Sequence, residues 1–208
     1  MTTLSVLGLA GSPRRGGNSD ILVDEALAGA REAGASTEKI VLEGLAIRPC
    51  QNCDGCLHTG VCIIDDDMQA IHYKLKEADR LVLAAPVFFL GLPAQAKAVV
   101  DRCQALWMEK YIVKKRNMFA RDGSRRKGLW LSVGGRKGLG NFDGARLTVK
   151  SFFATLDLEF SGEFLYPQID PYRSILHHPI ALDEARQAGK SLATPNPPVD
   201  QDSLTGNT

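Results

Sequence analysis

The sequence predicts an α/β fold, a three-layer sandwich in which helices cover both faces of one five-stranded parallel sheet. Three observations lead there. Five short apolar runs alternate with segments of helical periodicity, the order produced by βαβ units with right-handed crossovers. The runs at residues 4–9, 80–85 and 129–133 are apolar nearly throughout, as strands buried on both faces are. A glycine-rich turn at 11–17 joins the first run to the first helix. The chain has 208 residues, 44% of them hydrophobic, enough for one such domain with a modest extension and too few for a second large one.

Taken in order, the first strand carries Leu4, Val6, Leu7 and Leu9. The helix from about residue 19 places Leu22, Val23, Ala26, Leu27, Ala30 and Ala33 on one side, and Gly34 is positioned to end it. A strand at 37–42 follows. Four cysteines then occupy 50–62, where a crossover helix would otherwise begin, and Asp65 or Asp66 can cap a helix over 68–78. After the strand at 80–85 and a loop at 86–93, Leu92, Ala96, Val99, Cys103 and Leu106 share one helical face. A strand at 129–133, a helix at 142–156, a strand at 159–166 and a helix at 182–193 complete a domain expected to span 1–194. The ending TPNPPVDQDSLTGNT, rich in proline and polar residues, reads as a flexible tail over 195–208 or an arm that orders on a neighbouring subunit.

Lys and Arg number 25 against 24 acidic residues, so neither nucleic acid nor a membrane surface is expected as the principal partner. The apolar run at 4–10 is too short for a signal peptide and has no basic region before it, and no stretch approaches a membrane span. A soluble cytoplasmic protein is the expectation. In a reducing cytosol five cysteines, four of them in one segment, argue against a disulfide framework and for metal or redox chemistry.

Gly11 to Ser19 reads GSPRRGGNS, directly between strand and helix. A phosphate at that helix N-terminus would meet unpaired backbone N–H groups, the hydroxyls of Ser12 and Ser19, the Asn18 amide and the Arg14 guanidinium. The segment is neither G-x-G-x-x-G nor G-x-x-x-x-G-K-[ST]. It resembles the FMN phosphate loop of the NAD(P)H-dependent FMN reductases, within the flavodoxin-like superfamily. APVFFLGLPAQAKAVVDR (85–102) resembles that group's second loop and following helix, and SVGGRKGLG (132–140) its third flavin loop. The resemblance implies a flavodoxin-like sheet in the order 2-1-3-4-5, and a flavin ring lined by Pro86, Val87, Phe88, Phe89, Leu90 and Gly91, with Gly134 and Gly135 from the third loop. The chemistry agrees, because consecutive aromatics and a glycine at the carboxyl end of a buried strand provide a flat apolar wall. Core packing is the ordinary alternative for Phe88 and Phe89.

Cys50, Cys53, Cys56 and Cys62 form C-x₂-C-x₂-C-x₅-C. Four crowded thiolates repel and oxidise unless a metal centre neutralises them, and they match the ligand complement of a [4Fe–4S] cluster. Structural zinc, a thiol switch and a segment that binds nothing compete with the cluster. Zinc sites usually form two separated knuckles, whereas here three cysteines run together. The pattern resembles the iron-sulfur flavoproteins, the branch of the same superfamily with a cubane beside FMN, as do CLHTGVCIIDDDM and DRCQALWMEKY. That resemblance implies a homodimer or homotetramer, electron input from ferredoxin or NAD(P)H, and a small-molecule acceptor. No side chain is expected to act as a catalytic acid or base.

The expected function is therefore an FMN-dependent oxidoreductase passing electrons between a [4Fe–4S] cluster and FMN. A cluster-free NAD(P)H-dependent FMN or quinone reductase and a redox sensor without turnover are the alternatives. Residues 109–127 hold eight basic and two acidic residues, a basic insertion read either as a solvated loop or as a docking site for an acidic partner or the extra phosphate of NADPH. Lys114, Lys115, Arg116, Arg125 and Arg126 would carry the docking. Cys103 reads as core, and His177 and His178 as part of a structural turn.

Overall fold

Each apolar run forms a strand, and the computed structural model describes residues 3–114, 119–169 and 174–194. The strands β1 (Ser5–Ala10), β2 (Ser36–Val41), β3 (Arg80–Pro86), β4 (Arg126–Gly134) and β5 (Leu158–Pro167) pair in parallel in the order β2-β1-β3-β4-β5. The three inner strands are buried almost throughout, while β2 and β5 at the edges keep exposed positions.

Alternate residues of the inner strands feed two separate cores, as the two-residue period of a strand requires. Leu7, Leu9, Leu81, Leu83 and Trp130 pack with the face that carries α2 (Met68–Glu77), α3 (Ala94–Arg102), α4 (Gln104–Tyr111) and α5 (Asp143–Thr155). Val6, Ala10, Val82, Leu129 and Leu131 pack with α1 (Asn18–Glu32) and α6 (Ala181–Ala193) on the other. Helices α1 and α6 nearly touch backbone to backbone. A Cβ on Gly29 would lie 1.9 Å from Arg186 O, and one on Gly189 would lie 1.9 Å from Ala26 O.

Two elements differ from the sequence reading. The helix expected to run through 92–106 divides at Cys103, whose N–H is shared between Val99 O and Val100 O as at a helix end. All five residues assigned to its inner face are nonetheless buried, Cys103 among them. Strand β4 begins at Arg126, three residues early, because that arginine belongs to the core. Its guanidinium donates to Ala78 O (2.8 Å), Leu156 O (2.7 Å) and Leu75 O (2.6 Å), filling carbonyls left open where α2 and α5 end. Arg126 is thus no docking residue, and buried carbonyls are the reason.

Other cations of the basic insertion are also engaged: Lys110 with Asp157, and Arg121 with Asp79 and Glu77. Arg125 is exposed. Lys115, Arg116 and the tail at 195–208 lie outside the described residues. Among the described residues, no helix is long and apolar enough to cross a membrane.

Candidate functional site

Parallel strands all deliver their following loops to one edge, and at a switch in strand order two of those loops diverge to leave a crevice. Here the switch lies between β1 and β3, which pair side by side. The turn after β1, the end of β4 and the segments after β3 and β5 surround a cleft of about 390 Å³ lined by Ser12, Pro13, Arg14, Gly17, Asn18, Ser19, Pro86, Phe88, Val133, Ile169 and Ser174.

Its floor is the turn that opens α1. Ser12 Oγ accepts the Arg14 N–H at 3.1 Å, and Gly17 N–H donates to Arg14 O. Asn18 turns its side-chain oxygen to the Ile175 N–H at 3.0 Å, tying the turn to the segment after β5. Among the described residues, no side-chain hydrogen bond caps α1 at Gly17. Ser19 is 1% exposed, yet among the described residues its hydroxyl has no hydrogen-bond partner. A buried donor left over beside the open N–H groups of a helix start, with the exposed Arg14 at the rim, makes this a ready anion cradle.

The loop after β3 forms the wall. Val87 N–H donates to Val133 O, extending the strand pairing, and Phe88 and Gly91 exchange both backbone hydrogen bonds at 2.9 Å. Between them Phe89 (φ 49°) and Leu90 (φ 65°) both take the left-handed conformation, which a two-residue turn of this kind demands and which asparagine and glycine usually supply. Bulky side chains there cost of order 1–3 kcal/mol each, and both are exposed, Phe89 completely. Val87, Phe88, Phe89 and Leu90 line a second recess of about 430 Å³ with Gly135, Arg136 and Asn141. Phe88 borders both spaces, so they adjoin. Gly134 is buried at the end of β4, where a Cβ would lie 2.4 Å from Asn141 Nδ2, and it is Gly135 that reaches the recess.

The four cysteines lie in the long loop between β2 and α2, and its two ends are zipped together. Ala46 N–H and Arg48 N–H donate to the carboxylates of Asp67 (2.7 Å) and Asp66 (3.0 Å), and Gln69 Nε2 donates to Cys62 O and Ile64 O, both at 2.8 Å. Asp66 also accepts the Met68 N–H, so it caps α2 as well. The loop rests on α4, since a Cβ on Gly60 would collide with Glu109. All four cysteines line one small recess with Arg102, Gln104, Ala105 and Met108. Cys50 and Cys53 are exposed, Cys56 and Cys62 half-buried, and all are free thiols. Burial, reinforced by the charges of Cys62, Cys50 and Cys53, pushes the Cys56 thiol pKa up. Among the described residues, no three His, Cys, Asp or Glu groups converge as a ready metal-ion site.

Known proteins sort this geometry. The profile of the family described as NADPH-dependent FMN reductase matches residues 4–154. An iron-sulfur flavoprotein of Methanosarcina thermophila is 34% identical over 64% of this chain and 65% of its own length. A second, from Methanocaldococcus jannaschii, is 31% identical over 72% of this chain and 71% of its own length. The chain belongs to the NADPH-dependent FMN reductase family, on its iron-sulfur flavoprotein branch. It spans about half to two thirds of the length of the first curated relatives it matches. The solved NAD(P)H:quinone oxidoreductase of Methanothermobacter marburgensis, 20% identical, superposes with a TM-score of 0.68 over 92% of this chain and 96% of its own, which bears on the fold alone.

Sequence reasoning missed some of the lining of this FMN reductase family member. Val133 and Ile169 follow or end β4 and β5 on the same sheet edge, so the switch-point rule could have found them. Arg136 and Asn141 carried no signal beyond their nearness to Gly135. His177 closes a short 3₁₀ turn (Ile175–His177), and His178 packs its ring edge against Tyr166 at 5.1 Å, in keeping with a structural turn.

Proposed function

We propose that this protein is an FMN-dependent oxidoreductase that passes electrons between a [4Fe–4S] cluster and FMN. The observation that carries the reading is the buried Ser19 hydroxyl, without a partner among the described residues, in the cleft that opens α1. With Ser12, Arg14 and Asn18 it would take the FMN phosphate, while Pro86 to Gly91, with Gly134 and Gly135, would hold the ring. When bound, FMN supplies the redox chemistry, taking electrons in pairs and releasing them singly. The chain's own part is to orient the ring against the Val87 and Phe88 wall and to keep water from its buried face.

The donor set at 50–62 fits the cluster. It consists of four thiols in one recess, with no carboxylate among the lining residues but Asp54. A cubane takes one thiolate on each iron, so its ligands need not converge on a single point. Membership of the iron-sulfur flavoprotein branch supports the same reading. Ferredoxin or NAD(P)H is the proposed donor and a small molecule the acceptor, and the exposed Phe89 and Leu90 tip supports a homodimer or homotetramer.

An anaerobic visible spectrum with iron, sulfide and flavin analysis tests the proposal. About four irons, four sulfides and one FMN per chain are expected. Colourless protein that takes up no FMN overturns the flavin reading. Zinc without sulfide overturns the cluster, and full turnover after all four cysteines become serine favours a cluster-free FMN or quinone reductase. Slow turnover with every acceptor favours a redox sensor.

A further inference from the structure

Arg102 is an unusual neighbour for four thiols. It is 1% exposed at the end of α3, it lines the cysteine recess, and its guanidinium spans both ends of the loop. One terminal nitrogen, Nη1, donates to Arg48 O (2.8 Å) and Asp66 Oδ2 (2.7 Å). The other, Nη2, donates to Ile64 O (3.2 Å) and Asp66 Oδ1 (3.1 Å). Those contacts use four of the five N–H groups that a guanidinium carries. The fifth, on Nε, is buried and has no partner of good geometry among the described residues. A buried donor is rarely left unused unless a ligand or altered neighbour completes it. Burial pulls the guanidinium pKa down, but Asp66 and then Cys62, by charge and as a hydrogen-bond acceptor, raise it by more.

Resting on the cluster reading above, we infer that Arg102 is a positioning residue for the iron-sulfur site: its Nε–H donates to the Sγ of cluster-bound Cys62 and raises the cluster's midpoint potential. The physical reason is charge. Reduction adds one electron to the cluster and makes its sulfurs more negative, so a fixed cation and an N–H···S bond stabilise the reduced form more than the oxidised one. Asp66 opposes this. It holds the guanidinium in place while cancelling part of its field, so the pair sets the potential between two limits.

The test is an anaerobic redox titration of the holoprotein, following the reduced cluster by electron paramagnetic resonance, with iron and sulfide counted for each variant. Arg102→Lys keeps the charge and loses the aimed Nε–H; Arg102→Gln loses both. Both should lower the midpoint potential, the second by at least the about 59 mV that marks a tenfold shift in a one-electron equilibrium. Asp66→Asn keeps an oxygen for the Met68 N–H and should move the potential upward. Opposite signs are the signature, because loosening of the loop alone would shift every variant the same way. Cluster-bearing lysine and glutamine variants at the wild-type potential would overturn the inference and leave the cluster reading intact, as would shifts of one common sign. If Arg102→Gln fails to hold iron, the lysine and Asp66→Asn variants decide by the same criterion. Wild-type protein without iron and sulfide would overturn both.

Discussion

Asp20 Oδ2 accepts the Gly16 backbone N–H at 2.6 Å. The carboxylate comes from the first turn of α1, is 4% exposed, and is held in turn by an ion pair between its other oxygen and Lys39 on β2. Gly16 itself sits at φ +69°, so a buried charge braces the left-handed corner of the glycine-rich turn. Asp20→Ala should cost about 1.5–3 kcal/mol of stability, the range for a hydrogen bond to a charged group. It should also weaken FMN binding about tenfold, roughly 1.4 kcal/mol. Urea denaturation and titration of the apoprotein with FMN measure the two effects.

Ser19→Ala separates binding from folding. Among the described residues the hydroxyl has no partner, so its removal relieves a desolvated group and should leave apoprotein stability unchanged or slightly raised. FMN affinity should fall by about tenfold, near 1.4 kcal/mol. An unchanged dissociation constant for FMN would remove Ser19 from the phosphate site.

The contact between α1 and α6 tolerates no side chain at two positions. Gly29→Ala and Gly189→Ala each place a methyl group 1.9 Å from a carbonyl oxygen of the facing helix. Backbone cannot step aside as a side-chain tip can, so each should destabilise by about 1–3 kcal/mol or more. Thermal unfolding of the two single variants is the measurement, and a stability equal to wild type would contradict the close packing.

His72 makes stability depend on acid. Burial, then the charges of Arg102 and Lys76, push its pKa from 6.5 down to about 4, and the neutral ring donates Nε2–H to Arg102 O at 3.0 Å. The unfolded chain therefore takes up this proton first as pH falls. Its contribution is complete above about pH 6.5 and lost progressively towards pH 4, a change of about 3 kcal/mol. His72→Gln, which retains an N–H donor, should flatten that part of the pH profile. Urea midpoints at pH 7 and pH 4.5 give the comparison.

Much of the fold was legible because burial leaves a periodic trace. The inner strands had to be apolar on both faces, and the core faces of α1 and of the 92–106 segment were readable from spacing alone. Arg126 was misread because its charge looks like solvent-facing charge in sequence, whereas its surroundings are carbonyls from distant helix ends. The candidate site was legible where function needs local groups: the 11–19 turn and the four-cysteine spacing lie within a few residues each.

By itself the sequence determined the layer architecture, the glycine-rich turn and the thiol set, since periodicity and short spacing are encoded locally. Only the tertiary structure decided that Asn18 would be drawn to Ile175, that Phe88 would border two adjoining recesses, and that Arg102 would span both ends of the cysteine loop. Those contacts join residues far apart in the chain, and no local pattern records which partner a buried donor meets once the sheet has closed.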